Sequence, residues 1–149
     1  MTRRERREHT FCVLFSREFH ETGEGEEQVS RYFSGLTDLS EEELEERDLA
    51  RVPKMTEEER ASMEERIRDI SCKVFELDER INEVSEGWKT SRMSRVDLTL
   101  IRLALYEMRY DDTVPVKVAI NEAVEISKKY GGPDSRSFVN GILAKLVDG

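Results

Sequence analysis

Two runs of apolar residues at helical spacing, joined by Gly131-Gly132-Pro133, constrain this chain more than any other feature. Pro115 suits the first turn of a helix, where its missing N–H is not needed. Val116, Ala119, Ile120, Ala123, Val124 and Ser127 then recur at helical spacing. Lys117, Glu122, Glu125, Lys128 and Lys129 fall mostly on other faces. The glycines offer a left-handed exit and the proline forbids continuation, so the helix stops there. Asp134 or Ser135 caps a second helix, with an apolar face of Phe138, Val139, Ile142, Leu143 and Leu146. Gly141 lies within that helix at a penalty of about 1 kcal/mol against alanine. A close approach of a neighbouring backbone is therefore expected at Gly141.

The remaining segments read as helices that pack on this pair. Residues 3–19 are amphipathic, with Phe11, Leu14, Phe15 and Phe19 on one face. A short helix is expected at 29–36, and a helical turn at 40–47 within an acid-rich loop or insertion over 37–59. Thr56 and Glu59 form a capping box. It opens a helix with Met63, Ile67, Ile70, Val74 and Leu77 on its face. Ile81, Val84 and Trp88 continue the rhythm, so one long helix is open, as is a break at 75–78 with Asp78 as a fresh cap. Residues 85–93 are a connection. Ser94 and Asp97 form a further capping box. The helix over 95–110 is apolar on most sides and should be the central, most buried one. No segment alternates as a strand does, so the fold class is all-α, with about six or seven helices.

A length of 149 residues suits one domain with its own core. No apolar run approaches the roughly 20 residues of a membrane span. The apolar run at 11–15 is shorter than the roughly 7–15 residues of a signal peptide core. A cytoplasmic protein is expected, and with it two buried, reduced thiols at Cys12 and Cys72. The net charge is −9, unevenly spread. Residues 1–20 carry net +2, residues 21–66 net −10 and residues 67–149 net −1. Exposed charges more than ~10 Å apart are largely screened at 0.1 M salt, so a basic patch keeps its character despite the distant acidic segment.

Nothing in the chain is arranged for catalysis. His9 and His20 are eleven positions apart with no Cys or Asp cluster, so no metal site is expected. Gly23-Glu24-Gly25 lacks the strand and third glycine of a phosphate loop. No nucleophile elbow or HExxH occurs, and no cofactor is implied. Binding of single-stranded RNA has better material, because it uses cations along the backbone and planes under the bases. Arg3, Arg4, Arg6 and Arg7 crowd a helix N-terminus, where positive charge opposes the macrodipole by a few tenths of a kcal/mol. They serve either a partner or a solubilising, frayed end. Lys117, Lys128, Lys129, Arg136 and Phe138 are expected near the Gly-Gly-Pro corner, where Asp134, Ser135 and Ser137 offer groups for base edges. Spacing alone makes Phe138 a core aromatic or a base platform.

The segments IRLALYEM, VPVKVAINEAVEISKKYG and DSRSFVNGIL, with the opening RRERREHTFCVLF, resemble the NusB family of transcription antitermination factors. The resemblance implies two small three-helix bundles packed together, with the N-terminal helix in the first. It implies a non-catalytic factor that binds boxA, a short single-stranded element of nascent ribosomal RNA leaders, together with NusE. Other Nus factors and RNA polymerase follow as partners in the antitermination complex, and self-association occurs in some relatives. Arg3, Arg4 and Arg7 match the family's RNA-contacting arginines, with Arg6 beside them where a small residue is usual. Asp134 and Phe138 match its second RNA patch, to which Lys117 and Arg136 add charge. Phe15, Phe19 and Asp97 match positions that face NusE. The competing reading is a helical protein–protein adaptor without RNA specificity. For Phe15, ordinary core is equally compatible with its spacing.

Overall fold

The structure is a computed structural model that describes residues 2–17 and 56–147. Six α-helices lie among these residues: α1 (Arg3–Arg17), α2 (Glu57–Cys72), α3 (Val74–Val84), α4 (Arg95–Tyr110), α5 (Val116–Tyr130) and α6 (Ser135–Val147). No strand occurs among them, as the absence of alternation implies. The elements expected at 29–36 and 40–47, and the acid-rich stretch up to 55, lie outside the described residues. The chain divides into two compact units, 1–69 and 70–149.

In the first unit, Thr2 opens α1 by accepting the Glu5 N–H at 3.1 Å, a helix cap. His9, Thr10, Phe11, Val13 and Leu14 are buried. Thr10 satisfies its hydroxyl by donating to the Arg6 carbonyl at 2.8 Å. The buried face thus reaches past the expected stripe to take in polar residues. Phe15 keeps partial exposure while its ring stacks on Phe11 at 5.8 Å. The capping box of α2 forms in both directions: Thr56 N–H donates to Glu59 Oε1 at 3.3 Å and Glu59 N–H to Thr56 Oγ1 at 3.1 Å. Met63 and Ile67 are buried.

In the second unit, the break between helices falls at Lys73, not at 75–78. Lys73 N–H donates to the Ile70 carbonyl at 3.0 Å, a tightened last turn. Asp78 is no cap. It sits inside α3 and accepts two bonds from Arg102 of α4, Nε to Oδ1 at 2.7 Å and Nη2 to Oδ2 at 2.7 Å. Cys72 is exposed and Cys12 half-buried, both free, which corrects the expectation of buried thiols. The two cysteines end up on flanks of their helices because the apolar stripes are supplied by other residues.

Helix α4 is central, as its composition demands. Nine of its residues, from Leu98 to Glu107, are buried, and it packs on α3, α5 and α6. Ser94 Oγ caps it by accepting the Asp97 N–H at 3.1 Å. The Asp97 carboxylate accepts the Ser135 hydroxyl at the start of α6. Helix α5 buries Ala119, Ala123, Ile126 and Ser127, whereas Val116 is exposed at its first turn. On α6, Val139, Ile142, Leu143 and Leu146 are buried as expected.

Two glycines behave differently from expectation. Gly131 leaves α5 extended, at φ −93 and ψ 171, not left-handed. A Cβ there would overlap the Ser135 side chain and stand 2.8 Å from the Ser127 carbonyl oxygen. The glycine is needed for that close approach. Gly141 has no such neighbour: a Cβ would meet nothing within 4 Å. Gly141→Ala is therefore expected to stabilise the protein by about 0.5–1 kcal/mol through helix propensity and the unfolded chain. Urea unfolding should show a higher midpoint at unchanged slope; a lower midpoint would mean the site is crowded.

Candidate nucleic-acid interface

The arginines of α1 do not form one uniform row. At roughly 100° per residue, Arg3, Arg4 and Arg7 share an arc of about 100° and Arg6 lies off its edge. Arg3 and Arg4 are exposed, and Arg6 and Arg7 half-buried. Arg6 Nη2 pairs with Glu59 Oε2 of the same unit at 3.6 Å, and its Nε is buried without a hydrogen bond. The backbone N–H of Thr56, first, and then its side chain and the charge of Arg6 hold the Glu59 carboxyl below its usual range, against a smaller effect of burial. Glu59 is thus anionic at neutral pH and pairs with Arg6.

In the second unit, the corner between α5 and α6 is tightly tied. Gly131 N–H donates to the Ser127 carbonyl at 2.8 Å, Ser135 N–H to Gly132 at 3.1 Å and Phe138 N–H to Asp134 at 3.1 Å. The Ser135–Asp97 bond joins this corner to the start of α4. Asp134, Arg136 and Ser137 are exposed. Phe138 is only half-buried, unlike the rest of its stripe. Its ring meets Trp88 edge-on, centroids 5.9 Å apart at 72°.

Lys117 does not belong to this corner. It lies in the first turn of α5, and the roughly 13 residues to the end of that helix span about 20 Å. Lys128 pairs with Glu125 at 2.9 Å, and Lys129 Nζ stands 5.5 Å from the Tyr130 ring centroid. Asp97, expected at the partner-facing surface, stands beside the corner through Ser135. Phe15 belongs to the other unit, and Phe19 lies outside the described residues.

Trp88 continues the apolar rhythm of α3, yet it lies beyond that helix, which ends at Val84, and is 55% exposed. The sequence signal for a break is Gly87 immediately before it, a turn residue that adopts φ 76.

A sequence profile described as the NusB family matches residues 4–148. A protein named Transcription antitermination protein NusB from Lachnoclostridium phytofermentans is 49% identical over 148 residues, 99% of this chain and 100% of that one. One of the same name from Agathobacter rectalis is 46% identical over 147 residues, again 99% and 100%. A solved structure of T. maritima NusB superposes with a TM-score of 0.79 at 30% identity, covering 99% of this chain and 92% of that one.

Proposed function

Because the chain belongs to the NusB family, we propose that it acts in transcription antitermination by binding boxA-type single-stranded RNA together with NusE. The family is one of antitermination factors and not of enzymes. No described helix is long and apolar enough to cross a membrane. In this reading Arg3, Arg4, Arg6 and Arg7 contact phosphates, and the corner bearing Asp134, Arg136 and Phe138 contacts bases. Lys117 lies too far along α5 to join that corner and is assigned to the flanking RNA backbone.

The observation that carries the reading is Phe138. Four apolar residues of α6 are buried, yet this aromatic stays at the surface on a corner pinned by Ser135 and Asp97. A plane held rigidly beside exposed hydrogen-bonding groups suits base recognition.

Partner binding is assigned to Phe15, Phe19 and Asp97. Phe15 is half-buried where Phe11 is 1% exposed. As an anchor, Phe15→Ala should weaken NusE binding by on the order of 2 kcal/mol or more. Its thermal midpoint should move far less than the ~3–5 kcal/mol of a core phenylalanine implies. Asp97→Asn keeps an oxygen for the Ser135 hydroxyl and removes only the charge, whereas Asp97→Lys reverses it. Calorimetric titration with NusE should show weakening in the order Asn, then Lys, with both variants folded. Unchanged NusE binding in all three variants would remove Phe15 and Asp97 from the partner interface.

A further inference from the structure

We propose that Trp88 is a second base-stacking platform, set beside Phe138, and that the 85–93 connection is a third element that grips RNA. The inference rests on the RNA-binding reading above but on separate observations. A large aromatic in a loose connection would fold its ring onto the core. Trp88 instead stays 55% exposed, although the connection around it is fastened at several points. Ser85 is buried and its N–H donates to the Ile81 carbonyl. Trp88 N–H donates to the Ser85 carbonyl at 3.0 Å, closing a turn whose third residue is Gly87 with φ 76. A side chain at Gly87 would be strained, so the turn that presents the indole depends on that glycine.

Asn82 of α3 then clamps the far side. Its Oδ1 accepts the Thr90 N–H at 2.8 Å and its Nδ2 donates to Thr90 Oγ1 at 3.4 Å. Lys89 Nζ reaches the Asn82 carbonyl at 3.3 Å. Met93 is buried and closes the segment. The indole is thus held in place while its surface stays open.

The surroundings suit a polyanion with flat bases. Lys89 and Arg92 are exposed on the connection, and Arg95 at the first residue of α4. The connection carries one carboxylate, Glu86, and Asp97 in the first turn of α4 is engaged by Ser135. The Phe138 and Trp88 ring centroids lie 5.9 Å apart, edge to face, so two rings meet next to Asp134 and Arg136. Aromatic planes with interleaved cations are the usual furniture of single-strand binding, each stacked base adding to affinity without demanding a particular base.

Trp88 is the sole tryptophan of the chain, so its intrinsic fluorescence reports this ring alone. A boxA-type RNA oligonucleotide is added to the protein, alone and premixed with NusE, while a label on the RNA reports binding by anisotropy. The expected result is quenching of the indole that tracks the anisotropy. Trp88→Ala should weaken RNA binding by about 5- to 150-fold, the range for one stacked base, and Trp88→Phe by much less. If Trp88→Ala fails to fold, the wild-type quenching and the Trp88→Phe affinity decide. RNA that binds without quenching, and equally well to Trp88→Ala, overturns the inference and leaves the RNA-binding reading standing. A fluorescence change on adding NusE, with none on adding RNA, gives the ring to the protein partner and also overturns it. RNA that binds in neither setting refutes the parent reading and this inference with it.

Discussion

Changing Arg3, Arg4, Arg6 and Arg7 together to alanine is expected to make the salt dependence of RNA binding shallower by about 3 in log–log slope. Each phosphate contact on a single strand contributes about −0.7 through counterion release, so four contribute roughly −3. Between 50 and 200 mM salt such a slope corresponds to a loss of about 50-fold in affinity. The Arg3, Arg4 and Arg7 triple variant should account for about −2 of the change and Arg6→Ala for the remaining ~−0.7. Thermal stability should stay level or rise slightly, because cations at a helix N-terminus oppose its dipole. Anisotropy titrations at four salt concentrations measure the slope. A quadruple variant with the wild-type slope would exclude α1 from RNA binding.

The largest stability effect outside the apolar core should come from Arg102→Ala. Arg102 and Asp78 are joined by two bonds of 2.7 Å, with side chains only 12% and 21% exposed. A bidentate pair of this kind is geometrically exacting. Removing one partner strands the other charge away from water, which for fully buried pairs costs about 3–5 kcal/mol. The residual exposure places the expected loss near the lower end, roughly 3 kcal/mol. Asp78→Ala should cost a similar amount, and the double replacement Asp78→Leu with Arg102→Met should recover most of it. A urea double-mutant cycle measures the coupling. Additive effects of the two single changes would mean the pair is no more than a surface contact. Because the pair ties α3 to α4, and the connection bearing Trp88 runs between those helices, the single variants should also perturb the indole fluorescence.

The helices of the second unit were legible because their apolar residues repeat every three or four positions. The expected helix over 95–110 is Arg95–Tyr110 as observed, and Thr56 with Glu59 forms the expected reciprocal cap. Local spacing says which face is apolar but not what covers it. That is why Asp78, read as a cap, proves to be one end of an ion pair to a residue 24 positions away. The same limit explains the two glycines. Spacing marks Gly131 as a helix stop and Gly141 as costly, but only the folded arrangement tells crowding by Ser135 from open space. Trp88 obeys the apolar rhythm and still ends exposed, because α3 stops at Val84 and the turn through Gly87 follows. At the candidate site, Asp134 and Phe138 are marked by family likeness more than by chemistry. Lys117 falls away from the corner because charge along a sequence does not register the length of α5.

The most direct test of the account is the affinity of labelled boxA-type RNA for this protein, measured by anisotropy with and without NusE and against a scrambled RNA. The account predicts preference for the boxA sequence and tightening by NusE of about 5- to 150-fold, the usual range for coupled sites. If NusE neither binds nor tightens the complex, and scrambled RNA binds equally well, the antitermination mechanism is wrong for this protein and a helical adaptor without RNA specificity takes its place.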